Sequence, residues 1–325
     1  MPFISQNEGR LLYLMVFKII TIMAENGFPW SSLPLSEFTS SDNTTLFYHH
    51  QPAFEPKGSI VITLAWNMSP DVCSPLLLTN ALIRRHYNVY IFIVRGYQTN
   101  STYGNSVDRC AVDLQEFINH CKIGNFIAMG HSIGVAIWWQ YMLIYGQSRI
   151  SKFVLIDEMT VLLQNPTNTP DQNLEYGSIV PLNDLFDAYN KLIKGDYSSQ
   201  LFREEQIKLQ FSDEFHTEQP GIIDLIFQKV NRYSLTATAQ ILFSNQTNNW
   251  IYKLLNHQID IPTYLFCGQK SVVPYQSVFF QQQFYKKSQI HLFTNAKSSH
   301  FAWMENYAEF NTLLNNFIFS SESHT

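Results

Sequence analysis

One pentapeptide, Gly-His-Ser-Ile-Gly at residues 130–134, constrains most strongly what this chain can fold into. An apolar run at residues 126–129 precedes it, and a second apolar run at residues 135–139 follows at once. This pattern predicts a strand that turns sharply into a helix, with Ser132 on the turn. The positions two before and two after the serine must be small, because a Cβ there would collide with the strand or the helix. The Ser132 hydroxyl would then project above a sheet.

Short apolar runs rich in β-branched and aromatic residues recur on both sides of this pentapeptide. They predict buried strands at residues 60–64, 88–94, 152–156, 263–268 and 290–293, with an earlier antiparallel strand at residues 45–50. Helical patterns lie between or after them, at residues 107–121, 135–145 and 307–319. Because strands and helices alternate, we predict an α/β fold with a doubly wound, mostly parallel sheet.

The alternation stops between residues 162 and 257, where periodic apolar positions predict helices. We therefore expect a helical cap at residues 162–257, inserted into a core formed by residues 39–161 and 258–325. Residues 1–38 are expected to form an N-terminal extension. Its apolar run at residues 11–23 is interrupted by a lysine and is too short to span a bilayer. A helix packed on the domain or a partner is favoured there over membrane contact or a targeting segment.

The charge and the cysteine content of the chain indicate which binding partners and cofactors are to be expected. The chain has 325 residues and a formal net charge of −5, with no basic stripe, so nucleic acid is not expected as a partner. The four cysteines, at positions 73, 110, 121 and 267, form no C-x-x-C pair, which favours free thiols and a cytoplasmic location. No zinc-type spacing or phosphate-binding loop is present, so neither a metal nor a cofactor is expected.

A serine hydroxyl becomes a good nucleophile only when a base removes its proton. Among the ten histidines, His300 is the best candidate, because it follows the last predicted strand across a short polar loop and precedes the final helix. His131 lies inside the pentapeptide, but a residue beside the serine on such a turn points elsewhere. The remaining histidines are expected to be surface or packing residues.

These features together resemble the α/β-hydrolase superfamily over roughly residues 45–320. The matching segments are the pentapeptide at 130–134, the stretch 137–157, Ser-His-Phe at 299–301 and Arg-Gly-Tyr at 95–97. Two motifs depart from the usual pattern: Leu64-Ala65 stand where His-Gly is common, and Ile93 stands where Asp is common. The resemblance implies a serine hydrolase with the chain order nucleophile, acid, histidine.

The family usually takes its acid from the loop after the strand at 263–268, but Ser271 occupies that position and no Asp or Glu occurs between Asp260 and Glu305. In a subgroup the acid follows the strand after the serine's helix, where this chain has Asp157. We favour Asp157 as the carboxylate that orients His300. Glu158 is the alternative acid, because neighbouring residues at a strand end point in opposite directions.

Two backbone N–H groups are needed to hold the oxyanion formed on the attacked carbonyl. We expect one from Ile133, at the start of the helix, and the other from the loop at residues 65–68. Trp66 is the first choice there and Asn67 the second.

The predicted activity is hydrolysis of a carboxylic ester, lactone or thioester of a small apolar acyl substrate through an acyl-enzyme. The expected cap would supply apolar side chains around that substrate, among them Phe186, Tyr189, Phe211, Phe227 and Trp250. Two alternatives stay open: acyl transfer with the same triad, and a non-catalytic ligand-binding member of the fold.

Overall fold

The computed structural model describes residues 35–70, 80–97, 103–230 and 232–320. The apolar run at residues 11–23, Cys73 and most of the expected N-terminal extension lie outside the described residues.

The core is an eight-stranded sheet with the order β1-β2-β4-β3-β5-β6-β7-β8. Its strands are β1 (Leu35–Thr39), β2 (Thr45–Gln51), β3 (Gly58–Thr63), β4 (Tyr87–Phe92), β5 (Phe126–His131), β6 (Ile150–Ile156), β7 (Thr263–Gly268) and β8 (Ser288–Phe293). The β1–β2 and β2–β4 pairs are antiparallel, and all pairs among β3 to β8 are parallel. The predicted mostly parallel, doubly wound sheet is therefore confirmed.

Helices connect the strands, and seven of those described are inserted together between β6 and β7. The core helices are α1 (Ala81–His86), α2 (Val107–His120), α3 (Ile133–Tyr145), α11 (Tyr275–Phe280), α12 (Ala302–Glu305) and α13 (Tyr307–Phe319). The inserted helices are α4 (Pro170–Tyr176), α5 (Leu182–Ile193), α6 (Tyr197–Lys208), α7 (Asp213–Glu218), α8 (Pro220–Val230), α9 (Leu235–Gln246) and α10 (Trp250–Leu255). We call α4–α10 and their connections the helical insertion.

The sheet begins earlier in the chain than the sequence indicates. β1 pairs with β2 from Leu35 opposite His49 to Thr39 opposite Thr45, so four residues assigned to the extension belong to the sheet. Only Phe38 of this strand is buried. An edge strand with a single buried side chain lacks the apolar alternation by which strands are recognised in a sequence.

The strand and helix on either side of Ser132 are anchored deep in the core. Every residue of β5 is buried, and the fully buried indole of Trp138 in α3 donates a hydrogen bond to the carbonyl of Met129 at 3.1 Å. Trp139 is also fully buried and donates to the Tyr285 hydroxyl at 2.9 Å. Burial of large aromatic side chains contributes about 1.5–3 kcal/mol each. The turn that carries Ser132 therefore has a rigid base.

Candidate active site

Ser132 lies on a tight turn between β5 and α3, with φ 53° and ψ −130°. Such a backbone conformation is unfavourable for a residue with a side chain and persists only where the surroundings enforce it. A Cβ at Gly134 would lie 2.3 Å from the Thr63 carbonyl oxygen, and one at Gly130 would lie 2.8 Å from the Val135 nitrogen. Both glycines are thus required by close backbone approach, as the pentapeptide suggests.

Backbone hydrogen bonds hold this turn against two neighbouring strands. The Ser132 N–H donates to the Ile156 carbonyl at 2.8 Å, which connects the turn to the end of β6. The Thr63 hydroxyl at the end of β3 donates to the Gly134 carbonyl at 2.8 Å. The serine therefore sits at the carboxyl ends of the central parallel strands, where open α/β sheets bind ligands.

His300 and Asp157 are brought together at the same edge of the sheet. Nδ1 of His300 lies 2.8 Å from Oδ2 of Asp157, and both side chains are buried. Asp157 directly follows β6 with φ 50°, and its N–H donates to the Phe266 carbonyl of β7 at 2.9 Å. The carboxylate is therefore fixed facing the histidine ring, although the two residues are 143 positions apart.

Ser271 stands where the family usually has its acid, and its side chain joins the same network. The Ser271 hydroxyl donates to Oδ2 of Asp157 and lies 3.5 Å from Nδ1 of His300. Its own oxygen accepts a hydrogen bond from the Val273 N–H at 3.0 Å. Burial raises the pKa of Asp157, and the contacts with His300 and Ser271 oppose that rise. Sequence reasoning identified Ser271 only as a missing acid and did not predict its contact with Asp157.

His131 points away from the serine turn, as expected, but it contacts the histidine loop. Its Nδ1 accepts a hydrogen bond from the Trp303 indole at 3.3 Å, so Nε2 carries the proton and donates to the His300 carbonyl at 3.0 Å. Burial holds the pKa of His131 well below its usual range, which keeps the ring neutral. No sequence pattern indicates this tether, because its three residues meet only in the folded chain.

Glu158 is buried beside the serine and is bonded elsewhere than to His300. Its Oε1 accepts a hydrogen bond from Nδ2 of Asn245 in α9 at 3.2 Å, and its carboxyl interacts with the Ser132 side chain. Burial raises the pKa of Glu158 to about 8, and the nearby Asp157 adds to the rise. The carboxyl is therefore largely protonated at neutral pH.

The residues expected to supply oxyanion donors differ in their backbone contacts. Among the described residues, the N–H groups of Ile133 and Trp66 have no acceptor. The N–H of Asn67, the second choice, already donates to the Tyr97 hydroxyl at 2.9 Å. The Trp66 indole donates to the Thr238 carbonyl of α9 at 2.8 Å, which attaches this loop to the helical insertion.

A cavity of about 560 Å³ opens between the sheet edge and the helical insertion. Its wall on the sheet side includes Trp66, Ser132, Ile133, Glu158 and His300. Its wall on the insertion side combines apolar residues, such as Ile179, Leu185 and Trp250, with charged residues, such as Asp184 and Lys191. A cavity of this size and mixed lining suits a small molecule that has both apolar and polar groups.

Of the aromatic side chains expected around the substrate, some line the cavity and others pack against neighbouring aromatic rings. Trp250 lines the cavity, whereas Phe186 and Tyr189 pack against Phe243 at ring distances of 5.7 and 5.0 Å. Phe211 stacks on Phe301 at 4.3 Å. Most of these aromatic rings therefore stabilise the helical insertion and its contact with the histidine loop.

Two further features concern metals and membranes. In the described part of the chain, no group of three or more His, Cys, Asp or Glu side chains is arranged to hold a metal ion. Within the same residues, no helix is both long and apolar enough to cross a membrane. The expectations about cofactors and location stay predictions.

Comparison with known proteins gives matches to sequence and to structure. A family model described as alpha/beta hydrolase fold matches residues 59–307. The chain is 27% identical to a non-heme haloperoxidase of Rhodococcus erythropolis over 135 residues, which cover 41% of this chain and 47% of that protein. The match thus spans about half the length of that relative.

Solved structures agree over a larger part of the chain. An esterase from Exiguobacterium antarcticum matches 88% of this chain and 99% of its own with a TM-score of 0.74 at 18% identity. An enol-lactonase from Burkholderia xenovorans matches 88% of this chain and 100% of its own with a TM-score of 0.69 at 13% identity. At such identities the likeness shows the fold.

Proposed function

The chain belongs to the alpha/beta hydrolase fold family, and from this premise we propose that it is a serine hydrolase that cleaves a carboxylic ester, lactone or thioester. One observation carries the proposal. The hydrogen bond between His300 and Asp157 lies at the same sheet edge as Ser132, and Ser132 and His300 border one cavity. A nucleophile, a base and an acid that orients the base are the parts that acyl transfer needs.

In the proposed reaction, the Ser132 hydroxyl attacks the carbonyl carbon while Nε2 of His300 accepts its proton. Asp157 accepts the Nδ1–H of His300 and stabilises the ring when it becomes positively charged. His300 then returns the proton to the leaving alcohol or thiol, which leaves Ser132 acylated. Water attacks the acyl-enzyme by the same route in reverse, and the acid product is released.

The developing negative charge on the carbonyl oxygen needs preorganised donors. The backbone N–H groups of Ile133 and Trp66 are proposed for this role, since both residues border the cavity beside Ser132 and both N–H groups lack an acceptor among the described residues. Loss of one such donor typically lowers kcat by about 10²–10³.

The proposed substrate is a small, apolar acyl compound, because apolar residues such as Leu185, Leu192 and Leu242 line the insertion side of the cavity among its polar residues. The names of the matched esterase and enol-lactonase are consistent with ester or lactone substrates. The helical insertion acts as a cap in this proposal, since it supplies the wall that faces Ser132.

Labelling with a fluorophosphonate probe tests the nucleophile. We expect stoichiometric labelling of the folded protein and none of Ser132→Ala. Absence of labelling, or labelling that survives Ser132→Ala, would favour a non-catalytic binding protein. A panel of esters and lactones with varied acyl length then identifies the substrate, and added alcohols or amines reveal whether the acyl group passes to an acceptor other than water.

A further inference from the structure

Two carboxyl side chains follow β6, and the proposed reaction uses only one of them. Asp157 is bonded to His300, whereas the buried carboxyl of Glu158 borders the cavity beside Ser132. Burial of a carboxyl away from water costs free energy unless it is hydrogen-bonded. A second buried carboxyl next to the nucleophile therefore needs an explanation.

The hydrogen bond between Glu158 and Asn245 leaves one atom of the Asn245 amide without a partner. Its Oε1 accepts one bond from Nδ2 of Asn245, and Oδ1 of Asn245 is buried without a partner. If the amide is turned over, the amide nitrogen becomes the atom without a partner, so the vacancy stays in either assignment. Both side chains border the cavity. One wall of the cavity thus offers a carboxyl and an unused amide atom side by side.

We propose that Glu158 and Asn245 form a polar subsite that binds a hydroxyl group of the substrate on the carbon α or β to the scissile carbonyl. A hydroxyl donates and accepts at once, so it can bond to the carboxyl and to the vacant amide atom together. Its position follows from the cavity wall, which Glu158 and Ser132 border together, so the subsite lies near the attacked carbon. This inference rests on the proposed function and narrows its substrates to hydroxy-acyl esters and hydroxylactones.

Other substrate groups fit this wall less well. An alkyl chain would leave the amide atom of Asn245 without a partner, at the usual cost of a buried unsatisfied polar group. The rest of the wall contains aliphatic residues such as Leu162 and Leu242 and also polar residues such as Gln206, so substitutions at Glu158 and Asn245 are needed to locate the hydroxyl.

The test compares ethyl 2-hydroxyhexanoate and ethyl 3-hydroxyhexanoate, each enantiomer separately, with ethyl hexanoate. The measured quantity is the ratio of kcat/KM for a hydroxylated ester to that for ethyl hexanoate, and the comparison between variants cancels the intrinsic reactivity of the esters. We expect Glu158→Met to lower the ratio for the preferred hydroxy ester about tenfold, as for loss of one hydrogen bond. Glu158→Gln, which still donates and accepts, should keep the ratio within about threefold.

Asn245→Leu should lower the same ratio several-fold and serves as the second variant if Glu158→Met does not fold. The matched control is Asn248→Leu, because Asn248 borders the same cavity but its amide is already bonded to the Ser244 carbonyl at 2.7 Å and to the Lys253 ammonium at 2.8 Å. This control should leave the ratio unchanged.

Failure of this inference differs from failure of the proposed function. If both kinds of ester are hydrolysed and neither Glu158→Met nor Asn245→Leu changes the ratio, the subsite does not exist while the serine hydrolase stands. If the wild type hydrolyses no ester and no probe labels Ser132, the proposed function fails. In that case, calorimetry measures the Kd of the same esters for Ser132→Ala and for Ser132→Ala/Glu158→Met. The subsite exists if Glu158→Met lowers the preference for the hydroxy ester over ethyl hexanoate about tenfold, and it does not exist if this preference is unchanged.

Discussion

Replacement of Asp157 by asparagine keeps the size of the side chain but removes its charge and converts one oxygen into an NH₂ group. In the native chain, Oδ2 of Asp157 accepts hydrogen bonds from Nδ1 of His300 and from the Ser271 hydroxyl. An amide that turns its nitrogen to this position faces two donors. An amide that turns its oxygen there keeps the bonds but cannot balance the positive charge that His300 gains in the proposed reaction.

The expected loss follows from this geometry. A triad histidine in the wrong tautomer, or with an uncompensated charge in a buried site, reduces kcat by about 10³–10⁴. That reduction corresponds to roughly 4–5.5 kcal/mol of transition-state stabilisation, since each tenfold is about 1.36 kcal/mol. The neighbouring carboxyl provides the matched control, and Glu158→Gln should lower kcat far less than Asp157→Asn.

A second variant tests whether a carboxylate at position 271 can replace Asp157. Its hydroxyl oxygen lies 3.5 Å from Nδ1 of His300, so a carboxylate at this position is within reach of the ring. We expect the exchange variant Asp157→Ser/Ser271→Asp to recover at least about tenfold in kcat over Asp157→Ser alone, because a carboxylate again faces Nδ1.

The assay is steady-state hydrolysis of the best ester of the panel, normalised by phosphonate titration of Ser132. Circular dichroism and thermal unfolding check that each variant is folded. Asp157 does not orient His300 if Asp157→Asn keeps more than about a tenth of kcat, or if Glu158→Gln causes the 10³-fold loss instead.

Three further predictions follow from single contacts. Gly134→Ala should destabilise the protein by a few kcal/mol or prevent folding, since its Cβ would lie 2.3 Å from a carbonyl oxygen, whereas a Cβ at Gly124 meets nothing within 4 Å and Gly124→Ala should be neutral in urea unfolding. His131→Leu removes the donor to the His300 carbonyl, so kcat should fall about tenfold with less change in KM; unaltered kcat would exclude a positioning role. The folded-state pKa of Glu158, about 8 against 4.5, means that the unfolded chain releases this proton first as pH rises. The free energy of unfolding of the wild type should therefore decrease between about pH 4.5 and 8. The stability of Glu158→Gln relative to the wild type should rise by on the order of a few kcal/mol from pH 5 to pH 8. A stability difference that does not change with pH would contradict this prediction.

The order of most strands and helices, and the turn that carries Ser132, could be predicted from the amino-acid sequence alone. Apolar runs with periods of 2 and 3.6 are local properties of a chain, and the two glycines around the serine report a steric requirement that holds wherever this turn occurs. The position of His300 after the last strand could be predicted for the same reason. β1 escaped prediction because only Phe38 of this edge strand is buried.

The partners of these residues were decided by the tertiary structure. Sequence reasoning narrowed the acid to two neighbouring residues, but the side chain that faces His300 depends on how the backbone after β6 bonds to β7. The contact of Ser271 with Asp157 and that of Glu158 with Asn245 join residues 114 and 87 positions apart. Such contacts depend on packing between distant segments of the chain. The carboxyl of Glu158 is buried, and its pKa is raised, only because the helical insertion covers this edge of the sheet.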